Sequence, residues 1–419
     1  MATSRHRAIS RLRDAPDRRV SGTAGLRRLP ATGAAPRGHK LGGPIPCQAL
    51  CVRSLRIASL VVVGAILLSI ALVPRVDSSA STAREWRVVT SFNSNLSIPR
   101  YSCTPSGTCL GLASVNRQFF TIRFGTSRAA SVDRVLSKLH PNLDVGCASS
   151  SVCEGLLEPQ STEFNSSLLR TSDAGHVWRR QGLLRGFAAF GIACPTATSC
   201  LTVGIFRHTN TGSFPASFRT TDGGRTWKRT NLPGGAGAAY RYPVCPSASV
   251  CYASNAILGG PPSVILTTDF GRIWRTVPVP WPKGEDTLWA VTCASIDACD
   301  AWVVAGPPSH NTQFPWLIQI KGEGTSFASA RAPFQFFGGT VDFTCSTSLD
   351  CNAALDGQFV NPGHDVFKDL QTTDGGRTWA RLQAPGVSWL VSPLCFATGA
   401  CIAFGYGHGR AVILRLPPN

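Results

Sequence analysis

The chain has 419 residues, with 41 Lys+Arg against 23 Asp+Glu and a formal net charge of +18. Residues 1–56 hold 12 Lys/Arg and only two acids, Asp14 and Asp17, so the rest of the chain is mildly basic, at 29 Lys/Arg against 21 acids, and shows no nucleic-acid surface. Charged residues at 15%, with 41 Gly and 29 Pro, suit many short strands and turns and exclude an all-α protein.

Residues 1–53, rich in Arg, Ala, Gly and Pro, bury too little apolar surface to fold and read as a disordered basic cytoplasmic tail. Residues 54–75 read as a transmembrane anchor. Their centre, IASLVVVGAILLSIALV at 57–73, is uncharged and, at about 1.5 Å per residue, just long enough to span a bilayer. Arg53 and Arg56 before it place the N-terminus inside and everything after Pro74 outside. A cleaved signal peptide, cut near Ala80 or Ala83, is the alternative, which would make the protein secreted. Residues 76–84 are a linker. Cys47 and Cys51 precede the anchor and are assigned no role.

The remaining fourteen of sixteen cysteines fall in pairs spaced i, i+6: Cys103 with Cys109, Cys147 with Cys153, Cys194 with Cys200, Cys245 with Cys251, Cys293 with Cys299, Cys345 with Cys351 and Cys395 with Cys401. Successive first members lie 44, 47, 51, 48, 52 and 50 residues apart, the period of propeller blades or a solenoid. Zinc sites favour closer Cys/His pairs, and no histidine recurs with these cysteines, so disulfides across a hairpin are expected, with no metal and no cofactor. One repeat, residues 190–232, reads FGIAC, PTATS, CLTVGIF, a polar loop, ASFRT, TDGGRT and WKRTNL, which is four strands and three turns.

Four repeats carry a common third turn: TSDAGHVW with Asp173, Gly175 and Trp178; TTDGGRTW with Asp222, Gly224 and Trp227; TTDFGRIW with Asp269, Gly271 and Trp274; and TTDGGRTW with Asp374, Gly376 and Trp379. The Asp bonds nearby backbone N–H groups, the Gly accepts positive φ, and the Trp packs sideways, so these are structural turn residues. The pattern resembles the Asp-box, or bacterial neuraminidase repeat, of sialidases, sortilin-type receptors and photosystem II assembly-factor propellers. Repeats one and five have SRAASVDRVL and IKGEGTSF in its place. Repeat seven ends before a fourth strand, and Glu85-Trp86-Arg87-Val88-Val89 supplies one from the other end. The seven cysteine-paired repeats and this resemblance together point to an all-β, seven-bladed β-propeller of four-stranded, disulfide-stapled blades over residues 85–419, preceded by the one transmembrane helix read from residues 54–75.

Disulfides and Asp turns share one face, so a ligand site is expected on the loops of the other. These are aromatic with scattered cations, and Arg100, Tyr101, Arg185, Tyr240, Arg241, Trp281, Trp289 and Trp389 are the candidate ligand-binding residues, beside Phe187, Tyr242 and Phe336. No catalytic residue is assigned. The Arg-Ile-Pro signature of sialidases is missing, since Ser97-Ile98-Pro99-Arg100 has another order, and the acids Glu158, Glu163, Glu285, Asp286, Asp356 and Asp365 form no evident opposed pair. The reading is a membrane-tethered, monomeric, extracytoplasmic module that binds an envelope protein or glycan and no nucleic acid. A divergent sialidase-like glycoside hydrolase is the alternative.

Overall fold

A computed structural model describes residues 84–418 except 93–96, 116–117, 127–129, 137–142, 158–163, 209–211, 236–237, 256–262, 282–285, 306–313, 333–336 and 359–366. Residues 1–83, with the apolar segment and Cys47 and Cys51, lie outside the described residues. The described chain is all-β, twenty-eight strands and one 3-10 helix, Gly322–Gly324.

One feature of the expected architecture is corrected. Seven separate four-stranded blades are not found: five sheets are four-stranded, and the strands from Leu143–Cys147 through Lys228–Asn231 form one eight-stranded sheet. The joint is a parallel pairing of Asn165 with Phe187, reinforced by Ser166 Oγ, which donates to the Phe187 carbonyl (2.9 Å) and accepts from Ala189 N (2.9 Å). Cys200 is affected directly. It opens the strand Cys200–His208 inside the merged sheet, so its bridge to Cys194 staples an interior hairpin and not a blade of its own. The expected transmembrane helix, at residues 54–75, lies outside the described residues, among which no helix is long and apolar enough to cross a membrane.

Each repeat runs from buried to exposed. The second and third strands are nearly all buried, as in Cys251–Asn255 and Ser263–Thr267. The fourth, such as Arg179–Arg185 or Lys228–Asn231, is polar and exposed, which keeps the outer edge from pairing with another chain. The two ends of the chain share a sheet, for Arg87–Ser91 pairs antiparallel with Arg410–Leu416, as the Glu85–Val89 segment suggests. Trp86 fixes this closure. Its indole, 1% exposed, donates to Asp369 Oδ2, and its backbone N–H donates to Gln383 O at 2.8 Å.

All seven i, i+6 cysteine pairs are disulfides, with Cα–Cα distances of 3.9 to 4.1 Å. In the four Thr-x-Asp-x-Gly turns the Thr hydroxyl donates to the Asp carboxylate at 2.7 or 2.8 Å and accepts from the Gly N–H at 2.8 or 2.9 Å. The same carboxylate oxygen accepts from the N–H four residues after the Asp: Val177, Thr226, Ile273 and Thr378. The residue after the Asp and the Gly itself both have positive φ. That pair of left-handed residues lets Ala174, Gly223, Phe270 and Gly375 donate to Ser151, Thr198, Ser249 and Leu349, at the tips of the disulfide hairpins. Repeat five keeps the left-handed pair without the Asp, in Glu323 (φ 55°) and Gly324 (φ 80°).

Candidate functional site

The first strands of the repeats are Ser97–Cys103, Leu143–Cys147, Phe187–Ala193, Tyr240–Val244, Asp286–Ser295, Phe337–Cys345 and Trp389–Cys395. Each packs beside the first strand of the following repeat without backbone pairing between them. Together they enclose a central cavity of about 1380 Å³, lined by a segment of every repeat. Side chains substitute for the missing ladder. Asp144 Oδ2 accepts from Ile192 N (3.0 Å), Asp342 Oδ2 from Ser392 N (2.7 Å), Ser102 Oγ from Cys147 N (3.0 Å) and Thr344 Oγ1 from Cys395 N (3.2 Å). Tyr101 completes the circuit by donating to the carbonyls of Ser392 and Ile402 in repeat seven.

Six of these seven strands slip register just before the first cysteine. A bulge re-aims the side chains beside it, and Arg100, Tyr242, Ala290, Asp342 and Ser392, each three residues before its cysteine, line the cavity, as does Asp144 at the same position of Leu143–Cys147, the first strand that pairs without a slip. Tyr242 and Ser392 do so with φ of 49°, a conformation that costs about 1–3 kcal/mol and tends to gather at functional sites. The Arg100 guanidinium lies 3.8 Å from the Tyr242 ring centroid, and that of Arg241 lies 4.8 Å from the Phe190 ring. Arg241 Nε is buried and has no hydrogen-bond partner among the described residues. Burial pushes the Asp144 carboxyl up, while Arg100 and the N–H donors of Ile192 and Val145 pull it back.

Of the candidate ligand residues, Arg100, Tyr101 and Arg241 reach this cavity. Tyr101 is also a packing residue, edge-on to Phe124 and Phe404, and burial and then Asp342 hold its hydroxyl well above the usual range. Tyr240 is buried in the core, Trp281 packs beside Val279 and its neighbours, Trp389 stacks on Tyr406 at 5.3 Å, and Arg185 is exposed on an outer strand. Trp289 lies in the strand Asp286–Ser295, and its side chain is outside the described residues, as are Phe336, Glu158, Glu163, Glu285 and Asp365 and the side chains of Asp286 and Asp356. Sequence reasoning left out Asp144 and Asp342. Aligning the repeats on the first cysteine would have found them, because both stand three residues before it.

Asp300, Cys345 and Cys351 bring three potential metal ligands within 4.8 Å of one another, but the two sulfurs are bonded to each other. The four turn aspartates are occupied by their own turns. Asp222 and Asp374 are drawn down to about 2, first by the hydroxyls of Thr226 and Thr378.

No protein-family model matches the chain. No curated protein matches it either. Among solved structures it is similar to the GH74 enzyme of Niastella koreensis, with TM-score 0.55, 11% identity, and 78% of this chain covering 53% of that one. It is similar to YCF48 from Cyanidioschyzon merolae, with TM-score 0.52, 13% identity, and 79% of this chain covering 98% of that one. The GH74 xyloglucanase from Xanthomonas campestris gives TM-score 0.51 and 14% identity, again with 53% of that chain covered. The chain thus spans about half the length of the two GH74 enzymes. At such identities the likeness establishes a β-propeller fold and leaves the chemistry to the site.

Proposed function

We propose that the propeller is a binding module that takes a carboxylate-bearing protein segment into its central cavity. What carries this reading is the pair of guanidinium groups, Arg100 and Arg241, each laid on an aromatic ring at the cavity wall. A ring beneath the guanidinium plane leaves its N–H edge for a planar anion, and the fork geometry suits a carboxylate. Asp144 and Asp342 hold neighbouring strands together and so act as latches. We assign the four Thr-x-Asp-x-Gly turns to the Asp-box type, on the repeated hydrogen bonds described above. An extracytoplasmic location is supported by seven disulfides at a repeated position, which an oxidising compartment preserves. Alkaline extraction and N-terminal sequencing of the cell-derived protein separate an anchored from a cleaved form.

A displayed-peptide screen with the full chain tests the function. Enrichment of Asp/Glu-rich or carboxyl-terminal sequences, lost in Arg100→Ala and Arg241→Ala, is the expected result. Neutral or basic selected sequences count against it. One observation favours a glycoside hydrolase as a second reading: two carboxylates line one cavity, and one of them, Asp144, is pushed upward. Release of reducing sugar from a polysaccharide panel, abolished in Asp144→Asn and Asp342→Asn, would establish that reading.

A further inference from the structure

The residue after the second cysteine of each repeat is directed to the next repeat. Leu110 shares a core cluster with Cys153, Leu201 with Cys251, Tyr252 with Cys299 and Ile402 with Cys109, so the relation continues round to repeat one. Asn352 donates from Nδ2 to both sulfurs of Cys395–Cys401, at 2.9 and 3.2 Å. In repeat two the residue is Glu154, paired with Arg170 at 2.6 Å. In repeat five it is Asp300, whose carboxylate lies within 4.8 Å of the sulfurs of Cys345 and Cys351. Asp300 is 0% exposed, and neither of its oxygens has a hydrogen-bond partner among the described residues. A buried carboxylate in that position is costly, whereas a protonated one can serve as a donor. Burial pushes Asp300 up to about 8, and the charged group that opposes the shift is Lys321. Its strand partners, Thr292 and Gln319, are neutral.

We propose that Cys345–Cys351 is a thiol-exchange site, set apart from the other six bridges by Asp300, which supplies the proton for the departing Cys351 sulfur. Cys345 lines the central cavity, as the first cysteines of the other repeats do, and is 3% exposed, so a dithiol reductant reaches its sulfur from that side when the junction with repeat five opens. The reductant thiolate attacks Cys345 Sγ. The bond between the reductant sulfur and Cys345 forms as the Cys345–Cys351 bond breaks, and Cys351 leaves as a thiolate that takes the Asp300 proton. Asp300 remains as a carboxylate facing the Lys321 charge. The second thiol of the dithiol gives its proton to solvent and attacks the first sulfur, so that the ring disulfide forms as the bond to Cys345 breaks, and Cys345 leaves as a thiolate that takes a proton from solvent. The dithiol is oxidised to a disulfide, and the cystine is reduced by the same two electrons. A thiolate stranded in this apolar junction would hold its proton tightly, so transfer from Asp300 runs in the favourable direction. This inference is independent of the binding function proposed above.

The test is timed reduction of the oxidised full chain by limiting dithiothreitol at pH 6.5, quenched with an isotope-coded alkylating reagent and read cysteine by cysteine. Cys345 and Cys351 should be labelled at least tenfold faster than Cys293 and Cys299 or Cys395 and Cys401. In Asp300→Asn that pair alone should slow by about tenfold, with thermal melting of the oxidised variant reporting whether it folds. The wild-type protein provides a second measurement. All seven pairs should open faster as rising pH forms more reductant thiolate, but the advantage of Cys345 and Cys351 should shrink between pH 6.5 and 9 as Asp300 loses its proton. Seven bridges opening at a common rate, an advantage unchanged with pH, or a folded Asp300→Asn reduced as fast as wild type would each overturn the proposal.

Discussion

The guanidinium of Arg100, in repeat one, rests 3.8 Å from the ring centroid of Tyr242, in repeat four. Residues at equivalent positions, three before the first cysteine of their repeats, thus meet within the cavity wall although 142 positions separate them in the chain. Such a contact contributes about 0.5–2 kcal/mol. Arg100→Ala should therefore lower the melting temperature by only a few degrees while weakening capture of acidic peptides tenfold or more, as titration calorimetry would show. Arg100→Lys keeps the charge but not the planar fork, and should not restore affinity.

The repeated turns should behave as structural parts. Thr220 Oγ1, buried, serves both Asp222 and the Gly224 N–H, so Thr220→Val leaves that N–H without an acceptor and should cost about 1–3 kcal/mol in denaturant unfolding. Gly271 has φ 74°, and a Cβ there would lie 2.6 Å from Leu201 Cδ1, so Gly271→Ala combines backbone strain with a clash and should cost about the same or more. Unchanged unfolding midpoints in both variants would remove the structural role assigned to these turns.

Closure of the ring depends on a residue outside the cysteine repeats. Trp86 is fully buried and donates to Asp369, whose other oxygen has no hydrogen-bond partner among the described residues. Trp86→Ala should destabilise by about 3–5 kcal/mol, as for other buried aromatics. Trp86→Phe keeps most of the volume but strands a buried acid, and should cost about 1–3 kcal/mol. Proteolysis of these variants should cut first in the strands Arg87–Ser91 and Arg410–Leu416. Cleavage elsewhere would show that the chain ends do not hold the ring shut.

Stability should fall as pH rises from about 4 to about 8. Burial holds Asp300 up at about 8, and Asp369 and Glu154 at about 7, against ordinary values of 3.8, 3.8 and 4.5. Between the ordinary and the raised values the folded chain binds more protons than the unfolded one, so stability is greatest near the lower end and lost through the folded values. Each such group contributes a slope of about 1.4 kcal/mol per pH unit inside its window. Asp222 and Asp374, held at about 2, act in the opposite sense and only below about pH 4. Urea unfolding at pH 5, 6.5 and 8 should show the decline, and Asp300→Asn should flatten it most between pH 7 and 8. A profile that rises with pH over this range would mean that these acids ionise freely in the folded protein.

What could be read from the amino-acid order alone was whatever depends on near neighbours. Cysteines six apart meet across a hairpin because the turn between them is short, and a Thr, an Asp and a Gly at alternate positions close their own turn through bonds spanning at most four residues. The reach of the N-terminal strand to the C-terminal one was legible for a related reason, since Glu85–Val89 repeats the pattern of a fourth strand that repeat seven lacks. The tertiary structure decided the rest. One pairing, Asn165 with Phe187, merged two repeats into an eight-stranded sheet, so that the bridge from Cys194 to Cys200 came to lie within it. Bulges in the first strands re-aimed residues there, so Tyr242 and Asp342 joined Arg100 and Arg241 in the cavity, which Asp144 enters from a strand without a bulge, while Tyr240, one residue before Arg241, turned into the core. Asp300 came to lie beside a disulfide whose first cysteine follows it by 45 positions. Side-chain direction in a strand inverts with a one-residue slip, and packing between sheets is settled only when whole faces meet, so neither is written in any short stretch of the chain.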